Sequence, residues 1–106
     1  MKEKITIINS RIFALMSCHR FSYFKAHKLY EQSIIISLDI TKGLFSFELI
    51  NLTTEERIKM GNPEKGTYEY PLKKENKYKL VITAKGASGK YKIQRKTIKL
   101  TKLDNI

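Results

Sequence analysis

The chain has a single cysteine, Cys18, among 106 residues. A lone cysteine excludes an internal disulfide framework, so stability must come from an apolar core. No run of about 18 uninterrupted apolar residues occurs, which is the length a spanning helix needs. Glycine and proline are scarce, at five and two, and neither occurs in the first 33 residues. That opening stretch therefore lacks turn signals. No repeat and no low-complexity tract is visible. Cys18, His19 and His27 do not supply four ligands at tetrahedral zinc spacing. Cys18 and His19 are adjacent, and neighbouring residues rarely present their side chains to each other, so they are a poor nucleophile–base pair. Glu55, Glu56 and Glu64 fall in a polar loop, where solvated carboxylates are the ordinary reading. "AKGASGK" (84–90) lacks the G-x-x-x-x-G-K-[ST] spacing of a phosphate loop. These absences point to a protein without catalytic activity, cofactor or bound metal.

What is present is one domain's worth of chain, 42% of it apolar, which suits a folded domain with a modest core. Lys and Arg number 21 against 10 Asp and Glu, for a net charge of +11. The excess is uneven: residues 1–33 carry +4, 34–75 carry −1 and 76–106 carry +8. A basic end attracts polyanions such as nucleic acid, anionic lipid headgroups or acidic polymers. Lysine on solvent faces also serves solubility and blunts sheet edges.

From Ser33 onward apolar and polar residues alternate with period two, the mark of an antiparallel β-domain. "SIIISLDI" puts Ile34, Ile36, Leu38 and Ile40 on one face. "TKG" then reads as a turn with Gly43 at positive φ, leading into "LFSFELIN" with Phe45, Phe47 and Leu49 on one face. A short strand is expected near Arg57–Met60, "GNPEKG" as a turn, and "TYEYPL" as a strand with Tyr68, Tyr70 and Leu72 inward. Pro71 confines that strand to a sheet edge. "KYKLVITAKG" places Tyr78, Leu80, Ile82 and Ala84 inward. "ASG" reads as a second hairpin turn, followed by a strand with Tyr91 and Ile93 inward. The alternation slips at Ile98 and Leu100, and a bulge near Arg95–Thr97 would restore it. The fold expected is all-β: a small antiparallel β-sandwich of about six to seven strands over residues 33–101. Segment 1–32 is left open as leader, strand or helix, and 102–106 is a tail. The expected core is Ile34, Ile36, Leu38, Phe45, Phe47, Leu49, Tyr68, Tyr70, Leu80, Ile82, Tyr91 and Ile93.

On this reading Lys77, Lys79 and Lys85 lie on an outer face beside Lys90, Lys92 and Lys96. Lys79, Lys90, Lys92 and Lys96 then form a basic stripe that binds an anion or partner. Single-strand nucleic-acid binders also need aromatics on the same face as their lysines. Tyr68, Tyr70, Tyr78 and Tyr91 instead share the core's parity, which argues for a core with a charged exterior. The N-terminus has a basic start, an apolar run and Leu15-Met16-Ser17-Cys18, a sequence near a lipoprotein leader with Cys18 as the lipidated residue. Met16 and Arg11 depart from that pattern. The alternative is a strand through Ile5, Ile7 and Ile8, with Cys18 a small buried apolar residue.

"SLDITKGLFSFELIN", "GTYEYPLKKENKYKLVITAKGASGKYKI" and the Leu15–Cys18 stretch together resemble small bacterial surface lipoproteins with a β-sandwich of the immunoglobulin-like or pre-peptidase C-terminal-like kind. The matching positions are Gly43, Phe45, Phe47, Asn51, Gly66, Tyr68, Leu72, Tyr78, Leu80, Ile82, Gly86, Gly89, Tyr91 and Ile93. They carry fold rather than chemistry. The acidic loop clusters of calcium-dependent sandwich modules are missing, so no metal is implied. The resemblance implies a non-catalytic binding or accessory module. Its basic C-terminal sheet face would contact an anionic polymer, a membrane surface or a protein sooner than a small molecule. Location follows Cys18: cell surface by lipid anchor if it is processed, cytoplasm otherwise. The alternative function is a cytosolic nucleic-acid-binding β-barrel.

Overall fold

In a computed structural model, which describes residues 2–99, the chain is all-β and antiparallel. Five strands form one sheet: β1 (Lys2–Lys25), β2 (Glu31–Asn51), β3 (Arg57–Gly61), β4 (Gly66–Leu72) and β5 (Lys77–Lys99). The order is β1-β5-β2-β3, and β4 shares the far edge of β2 with β3. β4 lies along Gln32–Leu38 and β3 along Ser46–Ile50. The tail expected at 102–106 and the place of Leu100 lie outside the described residues.

Two of the expected hairpins are instead bends within continuous strands. "TKG" does not reverse the chain between two strands, because β2 runs from Glu31 to Asn51. Likewise "GASG" sits inside β5, and Thr83 pairs with His19 and Ser46 rather than with the 90–92 stretch. A straight 23-residue strand would extend about 76 Å at ~3.3 Å per residue. The molecule's long axis is only 52 Å, because the three long strands bend together. Each passes from one layer of a sandwich to the other, as strands do at the corners of sheet packings. The first layer holds residues 2–13, 31–40, 66–72 and 89–99, and the second holds 16–25, 44–51, 57–61 and 77–87.

Glycine makes the corner possible. Gly43 has φ +82°, and a Cβ there would lie 2.1 Å from the Gly86 carbonyl oxygen. Gly89 has φ +144°, and its Cβ would lie 2.2 Å from the Asp39 carbonyl oxygen. The β2–β5 register shifts at this point, between Ile40 and Lys42 and between Lys42 and Leu44. Hydroxyl side chains supplement the interrupted ladder. Leu15, at φ +50°, donates its N–H to Ser88 Oγ at 3.0 Å. The Gly86 N–H donates to Ser17 Oγ at 2.9 Å, and Thr41 Oγ1 donates to the Ser88 carbonyl at 3.2 Å. Such bonds satisfy backbone groups that would otherwise be unpaired.

The inner faces of the layers meet in the expected core. Ile34, Ile36, Leu38, Phe45, Phe47, Leu49, Leu80, Ile82, Tyr91 and Ile93 are buried, and Tyr68 and Tyr70 are half-buried against them. The Phe47 ring centroid lies 6.1 Å from Tyr68 and 6.0 Å from Tyr70, while Phe45 lies 6.1 Å from Tyr91. Pro71 is on the edge strand β4, opposite Ser33. Among the described residues, Asn51 is the buried polar residue, beside Tyr78 of this core. Its Oδ1 accepts from the N–H groups of Thr53 and Thr54 at 2.9 and 3.0 Å, and its Nδ2 donates to Tyr78 Oη at 3.3 Å.

Two further expectations change. Within the segment 1–32, open between leader, strand and helix, residues 2–25 form a strand paired along β5 from Lys2–Lys99 to Lys25–Lys77. No bulge occurs at Arg95–Thr97, where β5 pairs with β2 in unbroken register from Glu31–Ile98 to Ile40–Gly89. The alternation simply continues, which turns Arg95 inward and Ile98 outward. The inner position suits Arg95 because its guanidinium lies 4.9 Å from the Phe24 ring centroid and its aliphatic stem packs like an apolar side chain.

Gly43→Ala and Gly89→Ala should each lower unfolding free energy by about 3 kcal/mol or more, from a left-handed Ala plus displaced backbone. Gly61→Ala, where a Cβ meets nothing within 4 Å, should be nearly neutral. Urea denaturation of the three variants checks this.

Candidate functional site

The alternation of β5 and β2 builds a basic cleft on the outer face of the first layer. Tyr91 and Leu38 point into the core, so Lys90, Lys92, Ser37 and Asp39 point away from it. The register sets Ser10, Lys92, Ser37 and Thr67 in one row across four strands, with Ile12, Lys90 and Asp39 in the next. The cleft holds about 410 Å³. Lys65, Lys90 and Lys92 supply its cations and Asp39 its acid; Arg11 pairs with the inward Tyr91, so its side chain lies on the inner face of β1. Asp39 is already matched, with Lys65 Nζ 3.6 Å from its carboxylate. The Ser37 and Thr67 hydroxyls, 3.2 Å apart, share a hydrogen bond on the floor. The Arg11 Nη1 is buried and has no hydrogen-bond partner among the described residues. A cleft whose Lys90 and Lys92 have no acidic partner among the described residues is suited to a carboxylate, sulfate or phosphate oxygen.

The four lysines expected to form one stripe are divided by the corner. Lys90 and Lys92 share the cleft. Lys96 lies on the same outer face but is held by Glu69, with Nζ 2.7 Å from the carboxylate. That hydrogen bond keeps Glu69 below the usual carboxylate range and raises Lys96 above the usual lysine value. Lys79 lies on the outer face of the second layer. Continuous bent strands, not a hairpin, carry these residues, so Lys79 and Lys90 are not neighbours across two adjacent strands.

Lys79 keeps different company, which the sequence pattern did not reveal. β1 brings Phe21 and Tyr23 beside it, opposite Val81 and Lys79 in register. Phe21 and Tyr23 are 55% and 62% exposed. Lys79 Nζ lies 4.6 Å from the Phe21 ring centroid and 5.5 Å from that of Tyr23. The aromatics and lysines are therefore not fully segregated, since only the tyrosines counted from Ser33 onward follow the core's parity. Phe21 and Tyr23 could have been assigned to this patch only by knowing that 18–25 pairs with 77–84.

A second cavity of about 350 Å³ lies between the two halves of β1, lined by Thr6, Ile8, Ser22, Tyr23, Phe24, Leu80 and Arg95. Burial pushes the Arg95 pKa down. Its Nε is buried without a hydrogen-bond partner among the described residues, and its Nη1 reaches the Lys25 carbonyl at only 3.5 Å. Cys18 is half-buried, paired with Ala84 and packed against the core. Among the described residues, no group of three or more His, Cys, Asp and Glu is placed to hold a metal, and no helix is long and apolar enough to cross a membrane. No known protein-family model matches the chain, and no curated protein matches it either.

An imperfectly paired buried guanidinium costs more than a well-packed apolar group of similar size. Arg95→Met should therefore leave stability within about 1 kcal/mol of the parent or raise it. Arg95→Glu should lower it clearly. Thermal or urea unfolding distinguishes the two outcomes.

Proposed function

We propose that the protein is a non-catalytic binding module that holds an anionic polymer or surface in the Lys90–Lys92 cleft. The observation that carries this reading is the convergence of Lys65, Lys90 and Lys92 on one cleft whose acid, Asp39, is neutralised within it. The attraction is Coulombic, so it weakens as salt shortens the Debye length. The likeness to surface lipoproteins of the immunoglobulin-like or pre-peptidase C-terminal-like kind agrees with such a role, although Gly43, Gly86 and Gly89 serve strand bends here rather than hairpins. Ser10, Arg11 and Ile12 line the cleft, so the proposed site belongs to the chain with residues 2–17 in place. Lipid attachment at Cys18 would remove them, and the intact mass of the native product decides which form carries the function.

The double variant Lys90→Glu/Lys92→Glu should lose about tenfold or more in affinity for a polyanion such as polyphosphate, a shift of about 1.4 kcal/mol. Lys96→Ala should change affinity little, because Glu69 already occupies that lysine. Equal binding by the parent and the double variant at low salt contradicts the proposal. Sedimentation or anisotropy titrations at two salt concentrations provide the readout.

The Phe21–Tyr23–Lys79 patch supports a second reading, single-stranded nucleic-acid binding on the opposite layer. Base–aromatic stacking contributes about 1–3 kcal/mol per base. Phe21→Ala/Tyr23→Ala should then cut oligonucleotide affinity by about tenfold or more while sparing polyphosphate binding at the cleft. Unchanged oligonucleotide affinity removes this reading.

A further inference from the structure

We propose that the free edge of β1 receives an extended acidic segment of a partner protein as an added strand. β1 is 24 residues long and, among the described residues, pairs with β5 alone. Its other edge therefore presents a long row of backbone N–H and C=O groups without a strand partner, which is a template for strand addition.

The edge is also apolar. Ile5, Ile7, Ile8, Ile12, Leu15, Phe21 and Tyr23 are all exposed on β1, with Ile12 at 88%. Between Lys4 and Arg20 the only Lys, Arg, Asp or Glu is Arg11. Proteins usually protect an edge by keeping it short, by placing proline on it, or by charging it. The opposite side of this sheet follows those rules: β3 has five residues, and β4 has seven with Pro71 among them. β1 has no proline and little charge in its middle, so a covered edge accounts for its composition better than a solvated one.

Charge selects the occupant. β1 carries Lys2, Lys4, Arg11, Arg20 and Lys25 against Glu3. Lys90 and Lys92 stand beside its Ile12 and Ser10 on β5. A strand added to β1 would lie two strand spacings from β5, about 9–10 Å, within joint reach of a lysine and a glutamate side chain. A second copy of this chain would bring its own +11 charge and the same basic strand to the contact, so like charges oppose self-pairing. An acidic segment meets complementary charge.

Geometry limits where the segment docks. The β1–β5 register shifts between Ile7 and Asn9, between Phe13 and Met16 and between Met16 and Cys18, and Leu15 has φ +50°. The stretch Lys2–Phe13 contains one of these irregularities and borders the basic cleft, so it is the receiving run. The partner is a segment of roughly eight to ten residues alternating acidic and β-branched apolar side chains. The inference concerns the backbone edge and does not depend on the polyanion reading of the cleft.

The test uses the full chain and a capped decapeptide of alternating Val and Glu. Its controls are the same peptide N-methylated at every residue, which removes the donors of both edges, and an alternating Val-Lys peptide. At about 50 mM salt the Val-Glu peptide should bind, shift the amide resonances of residues 2–13 and slow their hydrogen exchange. Both controls should bind at least about tenfold more weakly, the first for lack of backbone donors and the second through charge. Ile12→Glu, at an exposed position, should leave the fold intact and weaken binding by a similar factor. Three results would each overturn the proposal: equal affinity for the N-methylated peptide, no response in residues 2–13, or protection of those amides by dimerisation of the chain without peptide.

Discussion

Two backbones touch at the corner of this molecule, and the rest of the structure follows from that contact. The Gly43 Cα lies against the Gly86 carbonyl and the Gly89 Cα against the Asp39 carbonyl, closer than any side chain bearing a Cβ permits. Because both central strands bend there, one sheet supplies both layers of the sandwich. The apolar faces of β2 and β5 can then close on each other, Phe45 on Tyr91 and Phe47 on the tyrosines of β4. β1 follows the same bend through Leu15, tied to β5 by Ser17 and Ser88.

The corner also distributes charge. Lys79 and Lys90 are eleven residues apart, so a regular strand would set them on opposite faces; the irregularity opposite Ile40–Leu44 keeps both on the outside. The bent β5 sends Lys79 to one side of the sandwich and Lys90 and Lys92 to the other. Each group then meets a different part of β1: Phe21 and Tyr23 in the first case, Ser10 and Ile12 in the second. One basic surface becomes two chemically distinct ones, an aromatic cationic patch and a polar cleft with spare cations. The long β1 edge borders both, and it leaves its isoleucines exposed to solvent.

The architecture was largely legible in the residues because period-two alternation reports directly which side chains are buried. Ile34, Ile36, Leu38, Phe45, Phe47 and Leu49 follow it without exception, as do Leu80, Ile82, Tyr91 and Ile93. Strands β3 and β4, the 61–66 turn and the edge position of Pro71 were legible for the same local reasons. The hairpins were misread because a tight turn and a strand bend make the same demand on sequence. Both need glycine at positive φ beside polar residues, and only the long-range pairing of Thr83 with His19 and Ser46 separates them. Arg95 was misread because a charged residue at an inner position looks like a slip in register, whereas its stem and its contact with Phe24 let it stay there. The site was less legible than the fold. Lys90 and Lys92 were visible as outward lysines, but Lys65, Phe21 and Tyr23 join them or Lys79 only through contacts between residues about 25–60 positions apart.

The most direct test of the bent-strand account is the set of cross-strand proton contacts around residues 83–92, read by nuclear magnetic resonance of the whole chain. Continuous strands predict contacts of Thr83 with His19 and Ser46, and of Lys92 with Ser10 and Ser37, with no cross-strand contact between Thr83 and Lys92. Strong backbone contacts between Thr83 and Lys92 and between Lys85 and Lys90 would mean that residues 86–89 turn a hairpin, and would contradict the account.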